Sequence, residues 1–283
     1  MGATPTPDIP VILARHPGLT VLEEIRAGGQ KWVWKVSFEN RNYALKVITF
    51  DPQAGERAKR EITIMRECDC PHLVTFGPWD LQEVVSSGRR MIYYLEEWID
   101  GTPLDNVPKP MPLRSCKDLG LQLGRAVGCL WAKGYLHRDI KPLNIMLRTD
   151  GQTFVLLDVG LALDTAGPSI TALGGVVGTP MYLSPDQIRL AKRQLDFRSD
   201  LHAVGVCMYE CLTGFHPLWN PHVPQIDLRD NILNLAPPPP RDFRPEVPEL
   251  LQEVVLRLLE KEANLRYARV EHFMQDLEHV EVP

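Results

Sequence analysis

Residues 201–212 read LHAVGVCMYECL, which is apolar on nearly every side of a helix. A helix of that kind cannot lie on a surface, so other elements must surround it. The chain therefore needs a helical body large enough to hide it. Its 283 residues suffice for one large domain or two small ones. Hydrophobic residues at 44% and charged residues at 24% are the balance of a soluble globular protein. No apolar run approaches the ~20 residues of a membrane helix, so no membrane span is expected. The start, MGATPTPDIP, lacks the basic and apolar regions of a secretory signal. A net charge of −5 argues against a nucleic-acid partner. The six cysteines form neither a disulfide framework nor a zinc spacing, which leads to an expectation of reduced thiols and a cytoplasmic location.

The rest of the chain changes character along its length. Residues 1–18 read as an N-terminal arm, and 20–50 as hairpin-rich strands. Turns are expected at 27–29 and 39–42. In the third strand Ala44, Lys46 and Ile48 share one face, and Leu45 and Val47 the other. A helix over about 55–68 puts Ile62 and Met65 on one side. Strands are expected at about 73–81 and 91–98, around the polar tip at 86–88. Residues 101–112 resemble a linker. Beyond it Cys116, Leu119, Leu123, Val127 and Leu130 recur at helical spacing until Gly134. Amphipathic helices are expected near 248–261 and 270–279, and the prolines of 237–240 read as a stiff connector rather than a polyproline ligand. The expected fold class is α+β, with a small mostly-β lobe (about 19–98) and a larger helical lobe (about 99–283).

The stretch that carries chemistry is His137-Arg138-Asp139-Ile140-Lys141-Pro142-Leu143-Asn144. It presents an Asp, a Lys and an Asn on one short loop. Fourteen residues beyond Asn144, the apolar segment 154–157 delivers Asp158-Val159-Gly160. One carboxylate and one amide oxygen suit magnesium, a hard cation that keeps waters and phosphate oxygens as further ligands. Asp139 is a second carboxylate, left to face an incoming hydroxyl, and Lys141 can hold a transferring phosphoryl group. Taken singly, each residue has a plainer reading. Lys46 is an edge lysine, Asp139 and Asp158 are turn residues, and Asp200 is a helix cap.

In their joint order and spacing these residues resemble the signature set of eukaryotic-type serine/threonine protein kinases, in wording similar to the bacterial members. The resemblance runs over about 20–280 and implies a bilobal kinase fold. It implies that Lys46 binds the α- and β-phosphates of ATP and that Glu61 fixes that lysine. Gly28 lies in the phosphate loop, and Val33, Ala44 and Met146 sandwich the adenine. The backbone from Glu97 to Ile99 meets the adenine edge. Asn144 and Asp158 bind Mg2+ (or Mn2+), Lys141 steadies the γ-phosphoryl group, and Asp139 accepts the hydroxyl proton. Arg138, Thr179, Asp186, Asp200 and Arg266 match structural positions, and Thr171 matches a site of autophosphorylation in the activation segment. The partners implied are protein substrates with Ser or Thr acceptors. Because the catalytic domain fills the chain, a regulatory module is expected to be either a separate protein or a part of a longer chain that is not present in this one.

The chain also departs from the family pattern. Of the three loop glycines only Gly28 is present, with Arg26 and Lys31 at the flanking positions. Val159 replaces a phenylalanine and Asp186 a glutamate. Glu96 stands at the back of the adenine pocket, where a carboxylate needs a partner. The eroded loop motivates an alternative, a pseudokinase scaffold that binds nucleotide weakly or not at all. A kinase-fold enzyme acting on a small molecule is disfavoured by the intact 178–186 segment.

Overall fold

Alternation of side chains along 31–49 builds a two-faced sheet. In the computed structural model, which describes residues 7, 9–28, 31–86, 88–159, 180–189, 195–222 and 227–283, that sheet belongs to a first compact unit. The unit spans the described residues up to Glu67 together with Val74–Asp100. Its elements are α1 (Ile9–Arg15), β1 (Thr20–Gly28), β2 (Lys31–Phe38), β3 (Arg41–Thr49), α2 (Pro52–Glu67), β4 (Gln82–Ser86) and β5 (Arg89–Glu97). The strands lie in the order β1-β2-β3-β5-β4, and all neighbours are antiparallel. Glu39 and Asn40 both take positive φ, 49° and 61°, as a two-residue hairpin between Phe38 and Arg41 requires.

One face of the sheet is a dry cluster of Trp32, Trp34, Val36, Leu45, Val47, Met91, Tyr93 and Leu95, closed by Ile12 of α1 and by Leu19. Each such side chain removed from water contributes roughly 1.5–3 kcal/mol. Residues 9–15, read from the sequence only as part of an arm, are thus a helix that buries Ile12 on the sheet. The other face carries Lys46, opposite Val33 on β2, and Glu96, opposite Ala44 on β3.

The strand expected over 73–81 is not formed. Pro78 lacks an N–H to give to a ladder. Isolated bridges form instead, Leu73 to Leu156 and Phe76 to Glu96, with Gly77 N–H donating to Leu95 O and Glu97 N–H to Thr75 O, both at 2.9 Å. The strand begins later, at Gln82, and turns back at the expected tip.

The second unit comprises Cys68–Leu73 and Gly101–Pro283. It holds a three-stranded sheet, β6 (Gly101–Pro103), β7 (Ile145–Arg148) and β8 (Phe154–Leu156), and the helices α3 (Leu113–Ala132), α4 (Pro185–Arg189), α5 (Phe197–Thr213), α6 (Leu228–Asn234), α7 (Pro240–Phe243), α8 (Glu249–Leu258) and α9 (Val270–Glu278). The first part of the expected linker is therefore strand β6, paired to β7. Helix α3 stops where Gly134 takes φ 79°. Helix α5 is buried at every residue from 199 to 213, as its sequence demands. It packs against α3 and α8. The proline run packs as a connector, with the Tyr209 hydroxyl donating to Pro238 O at 2.8 Å.

Gly205 sets the approach of α5 to α8, because a Cβ there would lie 2.7 Å from Leu258 Cβ. Gly205→Val should therefore destabilise the chain by about 1–3 kcal/mol through overpacking. The midpoint of urea unfolding measures this, and an unchanged midpoint would contradict the close packing.

Candidate active site

In the first unit, β3 carries Lys46 inward on the face away from the dry cluster, and α2 brings Glu61 to it. Lys46 Nζ donates to Glu61 Oε1 at 3.0 Å. A second carboxylate, Glu96 Oε1 on β5, lies 2.7 Å from the same nitrogen. Lys46, Glu61 and Glu96 are each only 4% exposed. Burial pushes the Glu96 carboxyl up to about 7; Lys46 opposes that push and Glu61 adds to it. The partner that Glu96 needed is thus the same lysine that Glu61 holds. Val33 and Ala44 lie on the Lys46 face of the sheet. Gly28 ends β1 opposite Lys31. The β5 ladder stops at Glu97, and the backbone of 98–100 belongs to no strand.

In the second unit the loop 137–144 hangs from α5. The Asp200 carboxylate accepts the backbone N–H of His137 through Oδ2 and that of Arg138 through Oδ1, both at 2.8 Å. Asp200 is not the helix cap that its place near the helix start indicated. That role belongs to Asp196, which accepts from Arg198 N–H. Burial pushes the Asp200 carboxyl above its ordinary range, opposed by His137 and the two N–H donors. Arg138 takes φ 67°, a strained turn for a residue with a side chain, and the two bonds to Asp200 hold it there.

His137 then links the loop to the chain just beyond β8. Its Nδ1 accepts from Asp139 N–H at 3.3 Å, which assigns the ring proton to Nε2, and Nε2 donates to Leu157 O at 2.9 Å. Leu157 N–H in turn donates to Asn144 O at 2.8 Å, which brings the chain carrying Asp158 alongside Asn144. Asp158 itself sits at φ 62°. The Asp139 carboxylate is gripped from two sides. Lys141 Nζ lies 2.9 Å from Oδ1 and 2.8 Å from Oδ2, and Asn144 Nδ2 donates to Oδ2 at 2.9 Å and to the Asp139 carbonyl at 2.8 Å. Asn144 spends its amide nitrogen on Asp139, which turns its Oδ1 into the atom suited to a cation. One amide oxygen and the Asp158 carboxylate form a hard donor set that fits a divalent ion completed by water and phosphate. Met146 lies on β7, half-buried, and Val159 is buried.

The segment after 180 is tied to this loop by residues the sequence reading did not single out. Ser184 and Gln187 form a capping box at the start of α4. Gln187 Nε2 then reaches Arg138 O at 3.1 Å. The Tyr182 hydroxyl donates to the Glu210 carboxylate of α5 at 3.1 Å. The S-x-x-Q spacing was a readable signal for the box; the Tyr182–Glu210 pair had none. Asp186 meets Arg266 at 2.6 Å in spite of its short side chain. Arg266 is 1% exposed and also donates to the carbonyls of Glu260, Arg198 and Lys261. Thr171 and Thr179 lie outside the described residues.

A family model for the protein kinase domain matches residues 20–279. The chain is 35% identical over 265 residues to the serine/threonine-protein kinase pkn2 of Myxococcus xanthus, covering 87% of this chain and 30% of that protein. It is 32% identical over 237 residues to the serine/threonine-protein kinase PknH of Mycobacterium tuberculosis, covering 80% and 35%. The chain thus spans about a third of the length of these two relatives. The crystal structure of a mutant form of the Mycobacterium tuberculosis PknI kinase domain shares its fold with a TM-score of 0.64 at 22% identity, over 93% of this chain and 95% of that one.

Asp186→Asn would leave the buried Arg266 guanidinium without its anion. The expected loss is on the order of 3 kcal/mol, partly recovered when Arg266→Met is added. Urea unfolding of the single and double variants checks both; a single variant as stable as the parent would contradict the pairing.

Proposed function

Because the chain belongs to the protein kinase domain family, we propose that it is a serine/threonine protein kinase, moving the γ-phosphoryl group of ATP to Ser or Thr hydroxyls of protein substrates. The observation that carries this reading is the Asp139 carboxylate, held between Lys141 and Asn144 on a loop fixed by Asp200. A carboxylate so placed orients an alcohol and takes its proton as the oxygen attacks phosphorus and the bond to the β-phosphate oxygen breaks. Lys141, which pairs with that carboxylate, follows the charge onto the moving phosphoryl group. Lys46 binds the α- and β-phosphates, and Glu61 keeps its ammonium in place. Val33, Ala44 and Met146 are assigned to the adenine faces, and the Glu97–Ile99 backbone to its edge.

The family generally uses ATP with a divalent metal, and the Asn144–Asp158 donor set supports Mg2+ at this position. When bound, the ion supplies positive charge against the β- and γ-phosphates. The rest of the rate acceleration comes from fixed alignment and fixed charge. Thr171 is assigned to autophosphorylation, with Arg138 as the cation nearest in sequence to the catalytic carboxylate. A cytoplasmic location belongs to the same proposal and rests on the cysteine spacing. Among the described residues no helix is long and apolar enough to cross a membrane. The scaffold alternative rests on the eroded loop alone, whose residues 29–30 lie outside those described.

Asp139→Asn keeps the side-chain shape and removes the base. The expected outcome is a fall in kcat of about 10²–10⁴ with nucleotide affinity retained. Transfer of radiolabelled phosphate to a generic protein substrate, beside a nucleotide-binding titration, measures both. Parent and variant equal in transfer would sink the proposal.

A further inference from the structure

One buried carboxylate of the first unit has no task in the phosphoryl transfer described so far. Glu96 lies nearer to Lys46 Nζ than Glu61 does, at 2.7 Å against 3.0 Å. Its second oxygen, Oε2, is buried and has no hydrogen-bond partner among the described residues. Two carboxylates therefore share one ammonium where water does not reach. Lys46, Glu61 and Glu96, all ionised, sum to −1, and Lys31 of β2 faces them as a further cation. The charged and titratable groups that face Glu96 are Lys46 from β3, Glu61 from α2 and Lys31 from β2. Within β5, the Tyr94 ring lies 5.9 Å from the Lys46 ammonium. Residues 74–77, whose Phe76 bridges to Glu96, bring no charge of their own.

We propose that Glu96 is a second positioning residue for Lys46, one that competes with the nucleotide's phosphates for the ammonium and so sets the affinity for ATP. The inference rests on the kinase reading. When Glu96 is ionised, its carboxylate lies 2.7 Å from the Lys46 ammonium and a phosphate must compete with it. When Glu96 takes up a proton, one anion fewer competes with phosphate for the ammonium. Nucleotide binding is then coupled to uptake of one proton by the Glu96 carboxyl. Affinity falls as pH rises, because the binding-competent, protonated fraction falls. A carboxylate that merely neutralised Lys46 would impose no such slope. The nucleotide's own terminal phosphate also titrates near this range, but it does so equally for every variant.

The test is isothermal titration of the full chain with a magnesium-loaded nonhydrolysable ATP analogue between pH 6 and pH 8. The parent is compared with Glu96→Gln, and with Glu96→Thr as a second, smaller replacement. The parent should lose about tenfold in affinity across that span beyond the loss shown by the variants. The variants should bind more tightly than the parent at pH 8. Thermal melts of the nucleotide-free proteins give an independent readout. The Glu96 carboxyl is raised from 4.5 to about 7, so the stability it lends is whole below about 4.5 and is lost as pH rises through about 7. The parent's melting temperature should decline over that window more than either variant's. Equal pH slopes in parent and variants, or weaker binding by the variants at pH 8, would overturn the inference and leave the kinase reading standing. A parent that binds no adenine nucleotide at any pH would overturn the kinase reading, and this inference with it.

Discussion

The second unit depends on one buried carboxylate. Asp200 sits in the first turn of a helix that is hidden on all sides, so its position is as rigid as the core itself. From there it takes the N–H groups of His137 and Arg138. An unpaired carboxylate at that depth would cost several kcal/mol, so helix and loop form together or not at all. The strained φ of Arg138 is the local cost of turning the chain so that both N–H groups face inward. From that turn the rest follows by short steps. His137 reaches Leu157, Leu157 reaches Asn144, and Asn144 grips Asp139. A helix buried on all sides thus positions the Asp139 carboxylate.

The two units solve the burial of a cation in different ways. Arg266 has one anion and three carbonyls, so its planar donors are matched and little charge is left over. Burial still pulls the guanidinium down, and Asp186 opposes the pull. Lys46 meets the carboxylates of Glu61 and Glu96 at 3.0 Å and 2.7 Å. The first arrangement is a structural clamp with no reason to change. The second places two acids on one ammonium, an arrangement that an arriving anion or a proton can alter. Buried ionic groups are weak contributors to stability on balance.

Much of this was legible in the chain itself. The loop residues could be placed because they are close in sequence, and the all-apolar helix announced its own burial. The helix-spaced apolar residues of 116–130 lie on α3, and the alternation of 44–48 gave the two faces of β3. What escaped was non-local. Glu96 meets Lys46 across the β3–β5 pairing, and no spacing rule reports a partner so distant in sequence. Tyr182 finds Glu210 across a turn and a helix. Helix α1 is too short to be stable alone and exists because Ile12 has a sheet face to cover. The apolar residues of 73–81 resemble a strand, while Gly77 and Pro78 break the ladder that would make it one. Gly77 itself lies against β5 so closely that a Cβ would be 2.7 Å from Leu95.

Hydrogen exchange at His137 and Arg138 tests most directly whether the 137–144 loop hangs from the buried helix. In the parent these two amides should exchange as slowly as those of α5, because their N–H groups end on the Asp200 carboxylate. In an Asp200→Asn protein, one oxygen remains for two donors, and at least one of the two amides should exchange a hundredfold faster or more while α5 stays protected. Unchanged protection at both positions would mean that the loop is held by something other than Asp200, and the account of how Asp139 comes to be fixed would be wrong.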